Sequence, residues 1–350
     1  MEVREELLLP THDIIVVGAS AGGVEALLTF VRELPADLPA ALFVVLHSPA
    51  QSPSVLPRIL NRAGRLRAVH ARHDEVIEPG RIYVAVPDHH LLVHRGVIHV
   101  VRGPKENHCR PAIDPLFRSA AVAYGPRAVG VLLSGSLGDG TVGLVTMKQR
   151  GGVAIVQDPA DALFPEMPRN ALEYIDADYV LPAAAIAPVV VRLAYEPVGE
   201  VPTEIVSNND KKEIALAEAN MATIENKEKP GIPSVFGCPE CGGTLWELQE
   251  GELLRFRCRT GHAFSADSLL SVQAEALEGA LWAALRGLEE NAALARRLAE
   301  RIRSRKLKLA AKSFEERALT AEQQAAIIRK VLVSGKPQVA IEPEGSAEDS

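Results

Sequence analysis

The segment DIIVVGASAGGVEALL, residues 13–28, decides how the chain folds. An apolar run of strand length leads through small residues and glycines into an amphipathic segment that begins near Val24. A strand, a tight turn and a helix in this order are typical of the first unit of an α/β fold. The turn allows two interpretations: a glycine-rich cradle for a phosphate or dinucleotide, or a turn that exposes Ser20 as a nucleophile.

The alternation of apolar runs and helical segments continues to about residue 194. Strands are predicted within residues 41–47, 81–86, 128–135, 152–157 and 178–182, and helices over 24–34, 55–62, 114–124 and 141–150. Continuous apolar strands that alternate with helices predict an α/β fold with a doubly wound, mainly parallel sheet. Residues 81–101 instead predict an antiparallel β-hairpin with its turn at Arg95-Gly96.

Composition and charge narrow the class of protein. The 350 residues are 47% hydrophobic and carry a formal net charge of -7. A chain of this length can bury a large core, and its negative charge argues against nucleic acid as a partner, because phosphate binding relies on positive surfaces. No apolar run is long enough to span a membrane, and the N-terminus lacks a signal-peptide pattern. We therefore expect a cytoplasmic protein without membrane insertion.

The ends of two later strands favour the nucleophile interpretation of the first turn. A dinucleotide fingerprint needs glycine where Ser20 stands and an acidic residue at the end of the second strand, where this chain has His47. In a right-handed β-α-β unit, Ser20 and His47 emerge side by side, as a serine and its general base require. Asp139, in the turn LLSGSLGDG, is the candidate for the carboxylate that orients the histidine. Backbone N–H groups at the helix start are candidates for stabilising an oxyanion.

Several segments together resemble the catalytic domain of chemotaxis protein-glutamate methylesterases, the CheB-type family. They are GASAGGVEAL (18–27), VVLH (44–47), RPAIDPLFRSAA (110–121), LLSGSLGDGTVGL (132–144) and DPADALFPEMPRNAL (158–172). The resemblance implies a catalytic triad of Ser20, His47 and Asp139 and a glutamate γ-methyl ester on a chemoreceptor helix as substrate. Methanol is the implied product, and some members also deamidate receptor glutamines. We expect no cofactor for catalysis.

The chain departs from the family pattern in two places. Only about a dozen residues precede the first predicted strand, so we expect no receiver domain on this chain to control the site. Where the family often has a methionine in the turn before the aspartate, this chain has Ser136 and Leu137, which affects local oxyanion or substrate contacts. A non-catalytic signalling or scaffold protein that docks through the α/β domain is the alternative function, and a dinucleotide-dependent enzyme is a third.

Other polar residues of the α/β part have less specific interpretations. Arg110 and Asp114 belong to the family's motif, and either line the substrate cleft or form an internal salt bridge. Cys109 is interpreted as a free thiol without a role. Four histidines near the predicted hairpin have no carboxylate partner at a recognisable metal spacing, so a structural or exposed role is expected; they are His89, His90, His94 and His99.

The remaining cysteines form a pattern typical of a structural zinc site. Cys238 and Cys241 make a C-x2-C knuckle, and Cys258 and His262 follow after sixteen intervening residues. Three thiolates and one imidazole complete a tetrahedral shell with no open position, so we expect one structural zinc that supplies the folding energy of a zinc ribbon. Arginines 255, 257 and 259 alternate along one strand, but in an acidic chain we expect protein contact or a spacer role.

These patterns divide the chain into five parts. They are a CheB-type domain (12–195), a flexible linker (196–232), the zinc ribbon (233–265), a helical hairpin (266–335) and a disordered acidic tail (336–350). The segment SFEE, residues 313–316, predicts the start of the second helix of the hairpin through a capping box. One apolar stripe on the first helix needs a partner, within the chain or in a homo-oligomer. A signalling partner is expected at the ribbon and the helices.

Overall fold

The protein was analysed as a computed structural model that describes residues 10–198, 208–218, 231–250, 253–305 and 307–334. These residues form two compact units, one up to Leu270 and one from Ser271 onward. In the part of the chain so described, no helix has the length and apolar character that a membrane span requires. The predicted acidic tail, residues 336–350, lies outside the described residues.

The first unit contains all strands found in the described residues. In chain order these are β1 (Ile14–Ala19), β2 (Ala41–Leu46), β3 (Arg67–His70), β4 (Glu75–Val76), β5 (Arg81–Val84), β6 (His90–Val93), β7 (Val97–Val101), β8 (Ala128–Leu132), β9 (Val153–Gln157), β10 (Tyr179–Leu181), β11 (Ile232–Gly237), β12 (Thr244–Glu250), β13 (Leu253–Cys258) and β14 (Ala263–Ser265). The α-helices within the described ranges are α1 (Gly23–Arg32), α2 (Leu56–Ala63), α3 (Ile113–Tyr124), α4 (Thr141–Gln149), α5 (Glu166–Tyr174), α6 (Ala183–Tyr195), α7 (Asn208–Ala217), α8 (Ala266–Ser304) and α9 (Lys308–Val333).

Seven parallel strands form the central sheet, in the order β10-β9-β8-β1-β2-β5-β3. Alternate side chains of β1 enter two separate cores. Ile15 and Val17 belong to the core that also contains Phe30 of α1, whereas Val16 belongs to the core that contains Phe117 of α3. Helices therefore cover both faces of the sheet, which confirms the predicted doubly wound fold.

The predicted hairpin forms, but β5 is not part of it. β6 and β7 pair antiparallel across a turn in which Gly96 has a φ of 80°, and β4 extends them to a separate three-stranded sheet. β5 instead pairs in parallel with β2 in the central sheet. Its apolar residues Ile82, Tyr83 and Val84 are buried, as a strand covered on both faces requires.

The ribbon is a four-stranded antiparallel sheet in the order β11-β12-β13-β14. Its small core contains Leu245, Phe256 and Phe264 together with Cys238 and Cys258. It belongs to the same compact unit as the α/β domain, in agreement with hydrogen bonds between the two.

The prediction of a flexible linker over residues 196–232 is wrong at α7, which lies inside that range. Glu213 of this helix is buried together with Ile214 and Ala217. The composition predicted disorder because charged residues rarely contribute to a core. Here the charge of Glu213 is neutralised by arginines from distant parts of the chain.

In the second unit α8 and α9 form an antiparallel pair. Small side chains fill the seam, and ion pairs of Glu289 with Arg329 and of Arg296 with Glu322 flank it. The buried seam residues from Ser271 onward include Leu285, Ala292, Ala295, Ala299, Ala311, Ala318, Ala321 and Ala325. The predicted capping box is wrong, because α9 begins at Lys308 and Ser313 lies inside it. Strong helix formers precede Ser313, so the helix starts earlier.

Candidate active site

Ser20, His47 and Asp139 lie at the carboxyl edge of the central sheet. Ser20 and His47 directly follow the adjacent strands β1 and β2, and Asp139 lies in the turn between β8 and α4. β1 pairs with β2 on one side and with β8 on the other. The chain passes from β1 to β2 first and reaches β8 only later. In α/β sheets such a reversal of strand order is where ligands bind.

The turn that carries Ser20 is held by backbone hydrogen bonds. The Ser20 N–H donates to the carbonyl oxygen of Ser134 (3.0 Å), and the Gly23 N–H donates to that of Ser20 (2.9 Å). Gly22 has a φ of 68°, and a Cβ at this position would lie 2.8 Å from Ser134 Oγ. Glycine is therefore required there. Within the described residues, the N–H groups of Ala21 and Gly22 make no hydrogen bond, and they precede the positive end of α1.

The three side chains form a continuous hydrogen-bonded chain. His47 Nδ1 lies 3.1 Å from Ser20 Oγ, and His47 Nε2 lies 2.7 Å from Asp139 Oδ2. An ionised carboxylate can only accept a hydrogen bond, so the ring proton of neutral His47 resides on Nε2. Nδ1 is then free to accept the proton of the Ser20 hydroxyl.

The Asp139 carboxylate is buried and surrounded by donors. Besides His47, it accepts hydrogen bonds from the N–H groups of Ile113 (2.7 Å), Asp114 (3.2 Å) and Gly140 (3.1 Å) and from Asn107 Nδ2 (2.9 Å). Burial opposes its ionisation, but His47 and these donors outweigh burial and hold the pKa of Asp139 at about 2. The carboxylate is therefore charged at neutral pH.

Asp114 is a second buried carboxyl group next to Asp139. Burial, followed by the charge of Asp139, raises the pKa of Asp114 well above its ordinary value. Its oxygens accept from the Gly143 N–H (2.8 Å) and from Asn107 Nδ2 (2.9 Å). Asp114 thus packs behind the triad, and Arg110 pairs instead with Asp88 (2.6 Å). Arg110 therefore forms the internal salt bridge that the sequence left open, whereas Asp114 is hydrogen-bonded behind the triad.

The pKa of His47 is raised above its ordinary value. Burial disfavours the imidazolium, but the Cys109 sulfur and the Asp139 carboxylate stabilise it more strongly. Cys109 lines the cleft beside His47. Its thiol is free, as the sequence predicted, and it lies in the wall of the cleft that the candidate base also lines. No motif in the sequence relates Cys109 to His47, which lies 62 positions earlier.

A cleft with a volume of about 360 Å³ opens beside His47. Its polar lining includes Lys105, His108, Arg110 and Asp88, and Pro49 and Pro111 contribute apolar surface. The Arg110 guanidinium donates to the Gly103 carbonyl oxygen (2.7 Å) as well as to Asp88. The cationic groups of the lining favour a substrate that carries negative charge next to its reacting side chain.

The four predicted metal ligands come together in the ribbon. Cys238 Sγ lies 3.7 Å from His262 Nδ1, Cys258 Sγ lies 3.5 Å from the same atom, and Cys241 Sγ lies 3.7 Å from Cys258 Sγ. All four ligand atoms lie within 4.8 Å of one another. A tetrahedral site with zinc–sulfur bonds of about 2.3 Å has edges of about 3.8 Å, so the spacing fits zinc.

A second histidine cluster contains a carboxylate that the sequence did not indicate. His94 Nε2 and His99 Nδ1 each lie 2.8 Å from the same oxygen of Glu218, which comes from the end of α7. These three residues could also hold a metal ion. The hydrogen bond between His99 Nδ1 and Glu218 holds two of the three residues together without a metal. Glu218 was missed because it lies 119 residues beyond His99.

Comparison with known proteins identifies the family of the α/β domain. Residues 15–190, half of the chain, match the family model described as CheB methylesterase. The chain belongs to the CheB methylesterase family. The crystal structure of the Thermotoga maritima CheB methylesterase catalytic domain is similar to this chain. The TM-score is 0.50 and the sequence identity is 33%, over 52% of this chain and 98% of that one.

Named relatives of this CheB domain agree with the family. A Leptospira interrogans protein, provisionally named protein-glutamate methylesterase/protein-glutamine glutaminase, is 38% identical over 183 residues, which are 52% of this chain and 95% of that protein. A Paraburkholderia xenovorans protein with the same activities in its name is 39% identical over 177 residues, 49% of each chain. The predicted family is thus confirmed, and the domain is that of a hydrolase.

Asn107 is the residue of the CheB site that the sequence analysis missed. It lies three positions before the quoted RPAIDP motif and donates to both buried carboxyl groups. In one sequence an asparagine in a polar loop is unremarkable as a turn residue. Only its distance from Asp139 indicates a role.

Proposed function

We propose that this chain hydrolyses glutamate γ-methyl esters on chemoreceptor-like proteins to glutamate and methanol. The observation that carries the proposal is the hydrogen-bonded chain of Ser20, His47 and Asp139 at the edge of a CheB-family sheet. The relatives named for this activity support the substrate class. Their names also include protein-glutamine glutaminase, and attack on a γ-amide uses the same groups with ammonia as the leaving group.

In this mechanism Ser20 Oγ attacks the γ-carbonyl carbon while His47 Nδ1 takes the hydroxyl proton. The N–H groups of Ala21 and Gly22 are the candidate donors to the resulting oxyanion. His47 returns the proton to the departing methoxide, which leaves as methanol. Water then attacks the acyl-enzyme with His47 again as base, and glutamate is released. Asp139 holds the imidazole and stabilises its charged form.

A scaffold protein without catalysis is the competing function. A docking domain has no need of a serine hydroxyl, an imidazole and a buried carboxylate in hydrogen-bond series, so the site geometry supports the hydrolase. A dinucleotide-dependent enzyme is supported still less, because His47 occupies the strand end where a ribose-binding acid is needed.

The direct test is methanol release. The full chain is incubated with a chemoreceptor cytoplasmic fragment whose glutamates carry radiolabelled methyl esters, and volatile label is counted against the Ser20→Ala variant. We expect release by the wild type alone. Equal release by both chains, or none by the wild type from receptors of several sequence classes, contradicts the proposed activity.

The raised pKa of His47 predicts the pH dependence. Neutral imidazole is needed to accept the Ser20 proton, so kcat/KM is expected to fall as pH is lowered through the His47 pKa, which is raised to about 10. Cys109→Ser and Cys109→Ala both remove the sulfur that stabilises the imidazolium. Each variant is expected to shift this acid limb to lower pH, as measured in the methanol assay. An unshifted limb in both would show that Cys109 leaves the charge state of His47 unaffected.

We also propose that the Cys238, Cys241, Cys258 and His262 group holds one structural zinc. The tetrahedral spacing supports zinc, and the four protein ligands leave no position for substrate. The ribbon core is small, so bound metal would contribute much of its folding energy.

Elemental analysis of the purified chain is expected to give about one zinc per chain. Cys258→Ser is expected to lose it, because three ligands hold zinc far less tightly than four. His99→Asn changes the other histidine cluster and is expected to retain the zinc. Full zinc in Cys258→Ser, or loss in His99→Asn alone, would contradict the ligand assignment.

Location and further partners remain predictions from the sequence. We propose a cytoplasmic protein, consistent with the lack of a membrane-spanning helix among the described residues. A signalling partner at the ribbon and helices, and a homo-oligomer through the C-terminal helices, are proposed on the sequence pattern. Exposed apolar residues of the second unit, such as Trp282 and Leu294, support such contacts.

A further inference from the structure

We propose that the ribbon, with its strands β11–β14, is a working part of the hydrolase site: its last strand holds Asn107, and Asn107 positions Asp139. The proposal rests on the proposed hydrolase function. It assigns Asn107 as a positioning residue that acts through Asp139. It also gives the ribbon a task that the family domain, residues 15–190, does not contain.

Asn107 is bonded on one side to the triad and on the other to β14. Its Nδ2 donates to Asp139 Oδ1 (2.9 Å) and to Asp114 Oδ2 (2.9 Å). Its Oδ1 accepts from the Ser265 N–H (2.8 Å), and its own N–H donates to the Ala263 carbonyl oxygen (2.8 Å). The opposite amide orientation would set an oxygen against two carboxyl groups and an NH₂ against an N–H. The Ser265 N–H of the ribbon and the carboxyl groups therefore favour the same orientation of this amide.

The neighbouring residue, Glu106, attaches the ribbon through a buried ion cluster. Glu106 Oε1 lies 2.8 Å from Arg118 Nη2 of α3, and Arg257 of β13 pairs with Glu213 of α7. Arg255 Nη2 lies 3.4 Å from Glu213 and 3.8 Å from Glu106. The side chains of all five residues are at most 4% exposed. Removing either set of charges would leave the other buried and unpaired, which is strongly unfavourable.

The metal knuckle reaches the rim of the substrate cleft. Glu240, between the ligands Cys238 and Cys241, lies 3.1 Å from Lys105 Nζ and 2.5 Å from His108 Nδ1. Lys105 and His108 both line the cleft beside His47. The segment 105–108 is thus in contact with the ribbon along its length, and Asn107 lies in its middle. Loosening the ribbon would release the segment that supports Asp139.

The first test uses the backbone donor of Ser265. Ser265→Pro removes the N–H that Asn107 Oδ1 accepts, whereas Ser265→Ala keeps it; both remove the Ser265 hydroxyl and its bond to Ser268. The readout is the rate at which a fluorophosphonate labels Ser20, followed by mass spectrometry. We expect Ser265→Pro to be labelled about 10- to 100-fold more slowly than Ser265→Ala, because small misplacements of catalytic groups cost about this much. Equal rates in the two folded variants would overturn the proposal.

The second test changes Asn107 itself. Asn107→Leu keeps the branching at Cγ and has no donor, and we expect kcat for methyl-ester hydrolysis to fall about 10- to 100-fold with KM unchanged. In the same variant the low-field proton NMR signal of the His47–Asp139 hydrogen bond is expected to shift or disappear. A wild-type signal and kcat would overturn the role of Asn107. Circular dichroism shows whether the variant is folded, and if it is not, the Ser265 pair decides.

The third test removes the metal. Chelation of zinc from the full chain is expected to slow labelling of Ser20, although no metal ligand is part of the triad; full-rate labelling of the zinc-free chain would overturn the coupling. Labelling is independent of the natural substrate. If Ser20 is labelled rapidly in the wild type but no receptor ester is hydrolysed, the proposed substrate fails and the role of the ribbon can still be judged.

Discussion

Replacing Ser20 by alanine is expected to reduce ester hydrolysis by about 10⁶-fold, the loss typical of removing the nucleophile from a serine–histidine–aspartate site. The hydroxyl is the group that His47 Nδ1 contacts at 3.1 Å, and alanine leaves the imidazole with no oxygen to activate. Because Ser20 forms part of a glycine-rich turn, the small alanine side chain fits without strain. The folded state should therefore be retained.

The measurement is the initial rate of methanol release, together with mass spectrometry of rapidly quenched enzyme. The wild type is expected to show the mass of an acyl-enzyme, and Ser20→Ala none. Ser52→Ala, in the loop five residues after His47, is the matched control and should remain active. Hydrolysis by Ser20→Ala within tenfold of the wild type would show that water, activated by His47, attacks the ester directly.

Asp139→Asn is expected to lower kcat by about 10⁴-fold, the loss known for the equivalent change in a serine protease triad. One carboxylate oxygen accepts from His47 and the Ile113 N–H, and the other accepts from three further donors. An asparagine amide has only one oxygen, so either orientation sets its NH₂ against existing donors. Because more donors face the Oδ1 side, the amide oxygen is expected there and the NH₂ group is expected to face His47. His47 then loses the acceptor that keeps its proton on Nε2.

The variant should also be less stable, because buried donors left without acceptors cost about 1–3 kcal/mol each. Methanol release and thermal unfolding are measured on the same preparation, so that lost activity is not confused with lost fold. Asp158→Asn, at a surface turn, is the control for the substitution itself. A kcat for Asp139→Asn within tenfold of the wild type would exclude a catalytic need for Asp139 to orient His47 and stabilise its charged form.

The sequence by itself was sufficient to predict a doubly wound, mainly parallel sheet, the family and the three residues of the proposed triad. Ser20, His47 and Asp139 each follow an apolar strand, and parallel strands must end at one edge of their sheet. The candidate metal ligands could also be predicted from the sequence, because the two pairs Cys238–Cys241 and Cys258–His262 are close in sequence. Both predictions depend on the local spacing of residues in the sequence. The catalytic and metal roles themselves are tested by the proposed experiments.

Only the tertiary structure showed what supports these groups. Arg255 and Arg257 alternate along a strand as an exposed basic face would, yet they are buried against carboxylates from two other elements. Glu213 lies in a segment whose composition predicts disorder, and Asn107 is 158 residues from the Ser265 N–H that orients it. Buried charges and amides are stabilised by partners distant in sequence, so their roles cannot be inferred from residue type or periodicity. The docking of the ribbon behind the triad is a property of the folded chain.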